Sequence, residues 1–164
     1  WGPGLWTDID NIDVLIENNR LEDNATNGIF HEISYSAVIR NNTAKNNGYD
    51  HESWLWGAGI VIASSQNVEV YGNTISGNYN GITISQQDRG SGAYGEYIAR
   101  NNKIHDNNVS GGASGAVRDV ASQAIFSDGN TWYNNSYDSS HRFAWENSWM
   151  NLSSWQVYHP QDGR

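Results

Sequence analysis

The 164-residue sequence has no cysteine, two prolines and one methionine, and sets only 9 basic residues against 18 acidic ones. Without cysteine there is neither a disulfide framework nor a thiolate metal site. A formal net charge of −9 argues against a nucleic-acid backbone or an anionic membrane surface as partner. No apolar run approaches the roughly 20 residues of a membrane-spanning helix, and no basic segment followed by an apolar one opens the chain. What takes the place of helix formers is asparagine, which outnumbers even the 17 glycines, with 12% of residues aromatic. Asn and Gly disfavour helix interiors and favour turns, so the composition points to an all-β chain. With 37% hydrophobic residues it can fill the core of one domain over residues 1–164.

The asparagines are periodic. Phrases such as Ile39-Arg40-Asn41-Asn42 and Ala99-Arg100-Asn101-Asn102 place a shared Asn at 19, 42, 73, 102 and 130, with a second Asn five residues later at 24, 47, 78, 107 and 135. A Gly opening a short strand precedes each pair, at Gly4, Gly28, Gly59, Gly81 and Gly115. Short period-2 strands without intervening amphipathic helices cannot form ordinary parallel crossovers, but they can stack as coils of a solenoid. Each coil reads as two strands and a third short segment around Leu21, Ala44, Ile75, Ile104 and Trp132, with residues 108–114 as a small-residue turn. Asn suits the recurrent bend, because it tolerates left-handed backbone angles and its amide can join a ladder along the stack. The expected solenoid has about five to six coils over about residues 4–140. A Trp-rich segment, about 141–164, covers the last strand edge. Trp1-Gly2-Pro3-Gly4 opens in mid-pattern, so further coils are expected upstream.

The Gly-Ile-x-Ile and Asn-Asn-x-Ile phrases, as in Gly81-Ile82-Thr83-Ile84 and Asn101-Asn102-Lys103-Ile104, resemble those of bacterial right-handed parallel β-helix repeat proteins of the pectate lyase-like superfamily. The ending Trp155-Gln156-Val157-Tyr158-His159-Pro160-Gln161-Asp162 looks like the Trp-Gln-x-x-Gly-x-Asp closing of many of them, with His-Pro in place of Gly. The resemblance covers residues 4–160. It implies a right-handed parallel β-helix, secreted or at the cell surface, that engages polysaccharide as a lyase, hydrolase or epimerase on uronate-containing glycans. The superfamily also includes proteins with no known activity, and the competing expectation is a non-catalytic structural or adhesive module. No Trp-x-Asp-His motif is present, since Trp6-Thr7-Asp8 is followed by Ile9, and no catalytic residue transfers from a named family.

The residues themselves supply candidates. Alternation puts Leu5 and Ile29 inside and Trp6 and Phe30 outside, with Asp8 and Glu32 outward two positions further on, in adjacent coils about 5 Å apart. Two carboxylates so close can share acid/base work or a cation, and Asp8, Asp10 and Glu32 form a candidate calcium set. The insertion at 48–56 offers His51 as a base and Trp54 and Trp56 as extensions of a Trp6–Phe30 sugar platform. Arg89, in a second insertion, is the candidate partner for a substrate carboxylate. His31 falls in an inward column with Thr7, Ile62 and Ile84, which predicts a hydrogen-bonded core histidine.

Overall fold

The computed structural model describes residues 2–50, 55–118, 129–146 and 148–163. The chain passes through three sheets in turn, so strands distant in sequence lie side by side. Sheet A has the strand order Leu5–Asp8, Ile29–Glu32, Ala58–Ala63, Asn80–Gln86, Ala113–Arg118, Arg142–Trp145 and Ser148–Met150, parallel except for the last pair. Sheet B stacks Val14–Glu17, Ala37–Arg40, Val68–Tyr71, Lys103–His105 and Thr131–Tyr133, and sheet C stacks Arg20–Glu22, Thr43–Lys45, Thr74–Ser76, Asn108–Ser110 and Ser136–Tyr137. Both are parallel throughout. The expected all-β stack of parallel strands is therefore what forms.

Alternation decides which side chains meet inside. Ile29, Ile60 and Ile82 of sheet A, Ile39, Val70 and Ile104 of sheet B, and Ala44, Ile75 and Val109 of sheet C pack into one core, each at most 1% exposed. Gly4, Gly28, Gly59 and Gly81 stand where sheet C turns into sheet A. A Cβ on Gly28 would lie 2.5 Å from the Gly59 carbonyl oxygen, so the backbones of successive coils leave no room for a side chain there.

The asparagine phrase divides its labour between two residues. The first takes the left-handed bend, as at Asn18 (φ 59°), Asn41 (φ 55°) and Asn134 (φ 57°). The second turns inward and joins the ladder. Asn42 Oδ1 accepts from both Asn19 N and Asn19 Nδ2 at 3.0 Å. The same pair of bonds links Asn42 to Asn73, Asn73 to Asn107 and Asn107 to Asn135. A second ladder of Asn24, Asn47 and Asn78 stands at the next corner.

Here the structure corrects the sequence register. Asn73 stacks on Asn107 rather than Asn102, and Val109 rather than Ile104 pairs with Ile75 in sheet C. Ile104 and Trp132 belong to sheet B, and Asn102 and Asn130 line the corner between sheets A and B. Gly115 pairs with Thr83, two residues past Gly81, and residues 108–114, expected as a turn, contribute the strand Asn108–Ser110. The same Asn-Asn bend serves different corners, so its five-residue spacing alone does not identify which.

The solenoid pattern also runs further than expected. Arg142–Trp145 pairs in parallel with Ala113–Ala116, inside the segment read as a cap. The ladder then ends on an acid: Asp162 Oδ1 accepts from Asn135 N at 3.0 Å and Asn135 Nδ2 at 2.8 Å. The helix Leu152–Tyr158, capped by the Asn151 side chain, presses Trp155 into the core beside Trp132 and Phe143. The closing motif explains itself in these contacts. Trp155 Nε1 donates to Asp162 Oδ2, and Gln156 Nε2 donates to the Asp162 carbonyl, both at 2.8 Å.

Candidate functional site

The carboxylate pair lies at the exit of sheet A in its first two coils. Asp8 and Glu32 are direct register partners, in line with Trp6 and Phe30, while Thr7 and His31 face inward between them. His31 is fully buried, with Nδ1 2.7 Å from Thr7 Oγ1 and Nε2 3.0 Å from the Tyr35 carbonyl. Burial holds its pKa below the ordinary histidine value, the behaviour of a neutral core histidine. Just past the carboxylates the backbone bends through Ile9 at φ 59° and Ile33 at φ 36°. A β-branched residue in the left-handed region is a strained arrangement, and here it occurs in two adjacent coils at the site's edge.

Residues 87–97 fold back from the fourth strand of sheet A onto the first two coils. Arg89 Nη1 reaches Glu32 Oε1 at 2.6 Å and Gln87 Oε1 at 3.0 Å. Asp10 Oδ1 accepts from Ala93 N at 3.0 Å and from the Tyr97 hydroxyl at 2.8 Å. Tyr35 donates to the Gly95 carbonyl at 2.9 Å and accepts from Tyr94 N at 3.2 Å. Ile33, Tyr35 and Tyr97 form a small apolar cluster beneath the loop. Burial first, and the Asp10 carboxylate second, push the Tyr97 hydroxyl up to about 12, so it serves as a donor at neutral pH. Beside these groups Asp8 Oδ1 is shielded from water and has no hydrogen-bond partner.

Several expectations change in detail. Phe30 is not an open platform: it is 9% exposed, stacked on Trp6 at 5.9 Å and edge-on to Trp56 at 5.9 Å. Trp6 stays open, at 54%. Further along, Val61, Ala63, Thr83 and Ser85 point outward yet are at most 2% exposed. Leu55 packs on Ala113, Val117 and Ala144, and Trp56 packs on Phe30, Val61 and Ala63, so the insertion that was to border a groove covers the middle of this face. Arg89 is engaged by Glu32 rather than standing free for a substrate carboxylate. The calcium set does not assemble, because Asp10 turns to the loop amide of Ala93 and Glu32 is matched by Arg89. Among the described residues no group of three such ligands is close enough to hold a metal ion. His51 and Trp54 lie outside the described residues.

Sequence reasoning missed Tyr35, Tyr97 and the anchoring role of Asp10. The signal for them was the tyrosine-rich insertion itself, with Tyr94 and Tyr97 in a loop that needed something to pack against. It also gave His105 no role. On the outer face of sheet B, His105 is stacked between Tyr71 at 5.2 Å and Tyr133 at 4.6 Å, and its nitrogens face Asp106 at 2.7 Å and Glu69 at 3.2 Å.

A family model described as "Right handed beta helix region" matches residues 1–98. No curated protein and no solved structure matches the chain. The matched span is more than half of the sequence and contains the first strands of all three parallel sheets, both ladders' origins and the carboxylate pair, and the chain belongs to the right-handed β-helix family.

Proposed function

We propose that the chain is a bacterial, secreted or surface-attached β-helix of pectate lyase-like type that engages uronate-containing polysaccharide, with the Asp8–Glu32 edge as its chemical centre. The observation that carries this reading is the delivery of Arg89, across 57 residues of sequence, onto one member of an in-register carboxylate pair beside an exposed Trp6. The two acids are placed in unlike surroundings. Glu32 is ion-paired and orients the cation, whereas Asp8, whose buried Oδ1 has no hydrogen-bond partner, shares the acid/base duty with it. A substrate carboxylate entering here competes with Glu32 for Arg89, Trp6 provides the sugar-stacking face, and His51 remains the proposed base.

The non-catalytic reading, a structural or adhesive module, is favoured by one observation: Leu55 and Trp56 cover the centre of the face on which a long groove was expected. Incubation with pectin, alginate and glycosaminoglycans, with and without calcium, separates the two. The assay follows ultraviolet absorbance of unsaturated products and new reducing ends. The catalytic reading expects turnover that falls by about a hundredfold or more in both Asp8→Asn and Glu32→Gln. Turnover unchanged in both variants removes the site. Glycan binding without any product moves the protein to the adhesive class.

A further inference from the structure

We propose that residues 87–97 form a hinged latch on the Asp8–Glu32 edge, closed in this structure and lifted when a uronate carboxylate takes Arg89 from Glu32. This rests on the polysaccharide reading above and adds the regulation of that site. Arg89 is committed to Glu32 at 2.6 Å, and one oxygen of Asp8 is shut off from water without a hydrogen-bond partner. Asp8 also lies close enough to act on Tyr97 of the same segment, whose hydroxyl is pushed up to about 12 by burial, then by Asp10, Tyr35 and Asp8. In this conformation neither the arginine nor the shielded oxygen is free for a substrate.

The tip of the segment, residues 91–94, lies between two glycines, Gly90 at φ 72° and Gly95 at φ 120°. At both, the space that a Cβ would enter is empty, so glycine serves the backbone there and not the packing, as hinge positions require. Pairing of Ser91–Gly92 with Gly95–Glu96 keeps the tip in shape. Three bonds hold it down: Ala93 N to Asp10 Oδ1 at 3.0 Å, Tyr94 N to the Tyr35 hydroxyl at 3.2 Å, and that hydroxyl to the Gly95 carbonyl at 2.9 Å. Beneath it, Tyr35 and Tyr97 are buried with Ile33 and stay with the core when the tip moves.

The contact that a glycan must break is one that exchanges at little cost. The Arg89 and Glu32 side chains are 35% and 11% exposed, and an ion pair at the edge of solvent gives little net stabilisation. A uronate carboxylate offers Arg89 the same charge-assisted bond that Glu32 does, whereas a neutral sugar offers none and leaves the latch down. Only a ligand that prefers the open form shifts the population towards it. With about one molecule in ten open at rest, freeing the tip by substitution raises the apparent affinity by up to about tenfold.

The test combines hydrogen exchange at the Ala93 and Tyr94 amides with binding of hexasaccharides of galacturonic acid and of glucose. It is run on the native sequence and on two variants that free the tip while leaving Asp8, Glu32 and Arg89 in place. A side chain at Gly92 collides with the Asp10 carboxylate and the Tyr97 hydroxyl, so Gly92→Val wedges the tip away. Tyr35→Phe keeps the buried ring and removes the hydroxyl that holds Tyr94 and Gly95. The latch expects the two amides of the native chain to exchange by local opening, about a hundredfold or more faster than those of Ala58–Ala63. Exchange quickens further with the galacturonate hexasaccharide and not with the glucose one. Both variants bind the galacturonate hexasaccharide more tightly, by up to about tenfold. Exchange no faster than at Ala58–Ala63, equal opening by the glucose hexasaccharide, or galacturonate binding that is unchanged or weaker once the tip is free each overturn the latch and leave the sheet A reading standing. No galacturonate binding by any form overturns that reading, and the latch with it.

Discussion

Replacing Asp162 by alanine isolates what the closing motif does for the fold. Asp162 is 1% exposed and its carboxylate receives four bonds: Asn135 N and Nδ2 on Oδ1, and the Tyr137 hydroxyl (2.9 Å) and Trp155 Nε1 (2.8 Å) on Oδ2. Asp162→Ala abandons four donors in a closely packed place, at about 1–3 kcal/mol for each one left unmet. The four belong to one network and do not add. An overall loss of about 4 kcal/mol is expected, a large share of the ~5–15 kcal/mol that holds a domain together. Asp162→Asn is the informative control. Its amide oxygen can still end the ladder at Asn135, and Tyr137 can rotate its hydroxyl to accept, but the amide N–H₂ faces an indole N–H that can only donate. About half the alanine penalty is expected. The assay is urea unfolding followed by tryptophan fluorescence and far-ultraviolet circular dichroism, with hydrogen exchange read at Arg142–Trp145. If Asp162→Ala stays within about 1 kcal/mol of the native chain, or Asn is as damaging as Ala, the ladder does not depend on an acidic terminus and the reasoning fails.

The same end of the molecule is expected to be acid-sensitive. Burial lowers both His141 and His159 to about 4, so each must be neutral in the folded chain. Their folded values lie below the ordinary 6.5, so the stability they confer is present above that pH and is lost as pH falls from 6.5 towards 4. Allowing for partial water access at His159, the two together remove about 2–4 kcal/mol by about pH 5. A melting temperature that is flat between neutral pH and pH 5, or an equal decline in His141→Gln combined with His159→Gln, contradicts this. At the carboxylate site, Ile9 is 59% exposed yet bends at φ 59°. Ile9→Asn relieves a left-handed β-branched residue and is expected to stabilise the chain by about 0.5–1 kcal/mol in urea unfolding. A destabilised variant would show that the isoleucine side chain packs to some purpose.

How much of this was legible in the sequence depends on whether the information was local. The Asn-Asn phrase is: one residue supplies the left-handed bend and the next the ladder amide, so Asn41-Asn42 announces both a corner and a stack. Which corner is not local. Asn101-Asn102 makes the same bend between sheets A and B that Asn41-Asn42 makes between B and C, and the two differ only in the strands they join. The in-register Asp8 and Glu32 followed from counting along the strand from Gly4 and Gly28, because a parallel stack converts equal spacing into contact. The partner of Glu32 did not, since Arg89 arrives from an insertion whose path is set by Tyr35, Tyr97 and Asp10 rather than by the repeat. Outwardness was likewise read correctly from alternation, but exposure is a different quantity. Val61 and Thr83 face outward and are buried, because Leu55 and Trp56 and the packing around them close that face. Leu15 and Lys103 also face outward and remain exposed, because nothing in the described chain crosses sheet B there. A repeat dictates columns. The segments that interrupt it decide which columns reach solvent.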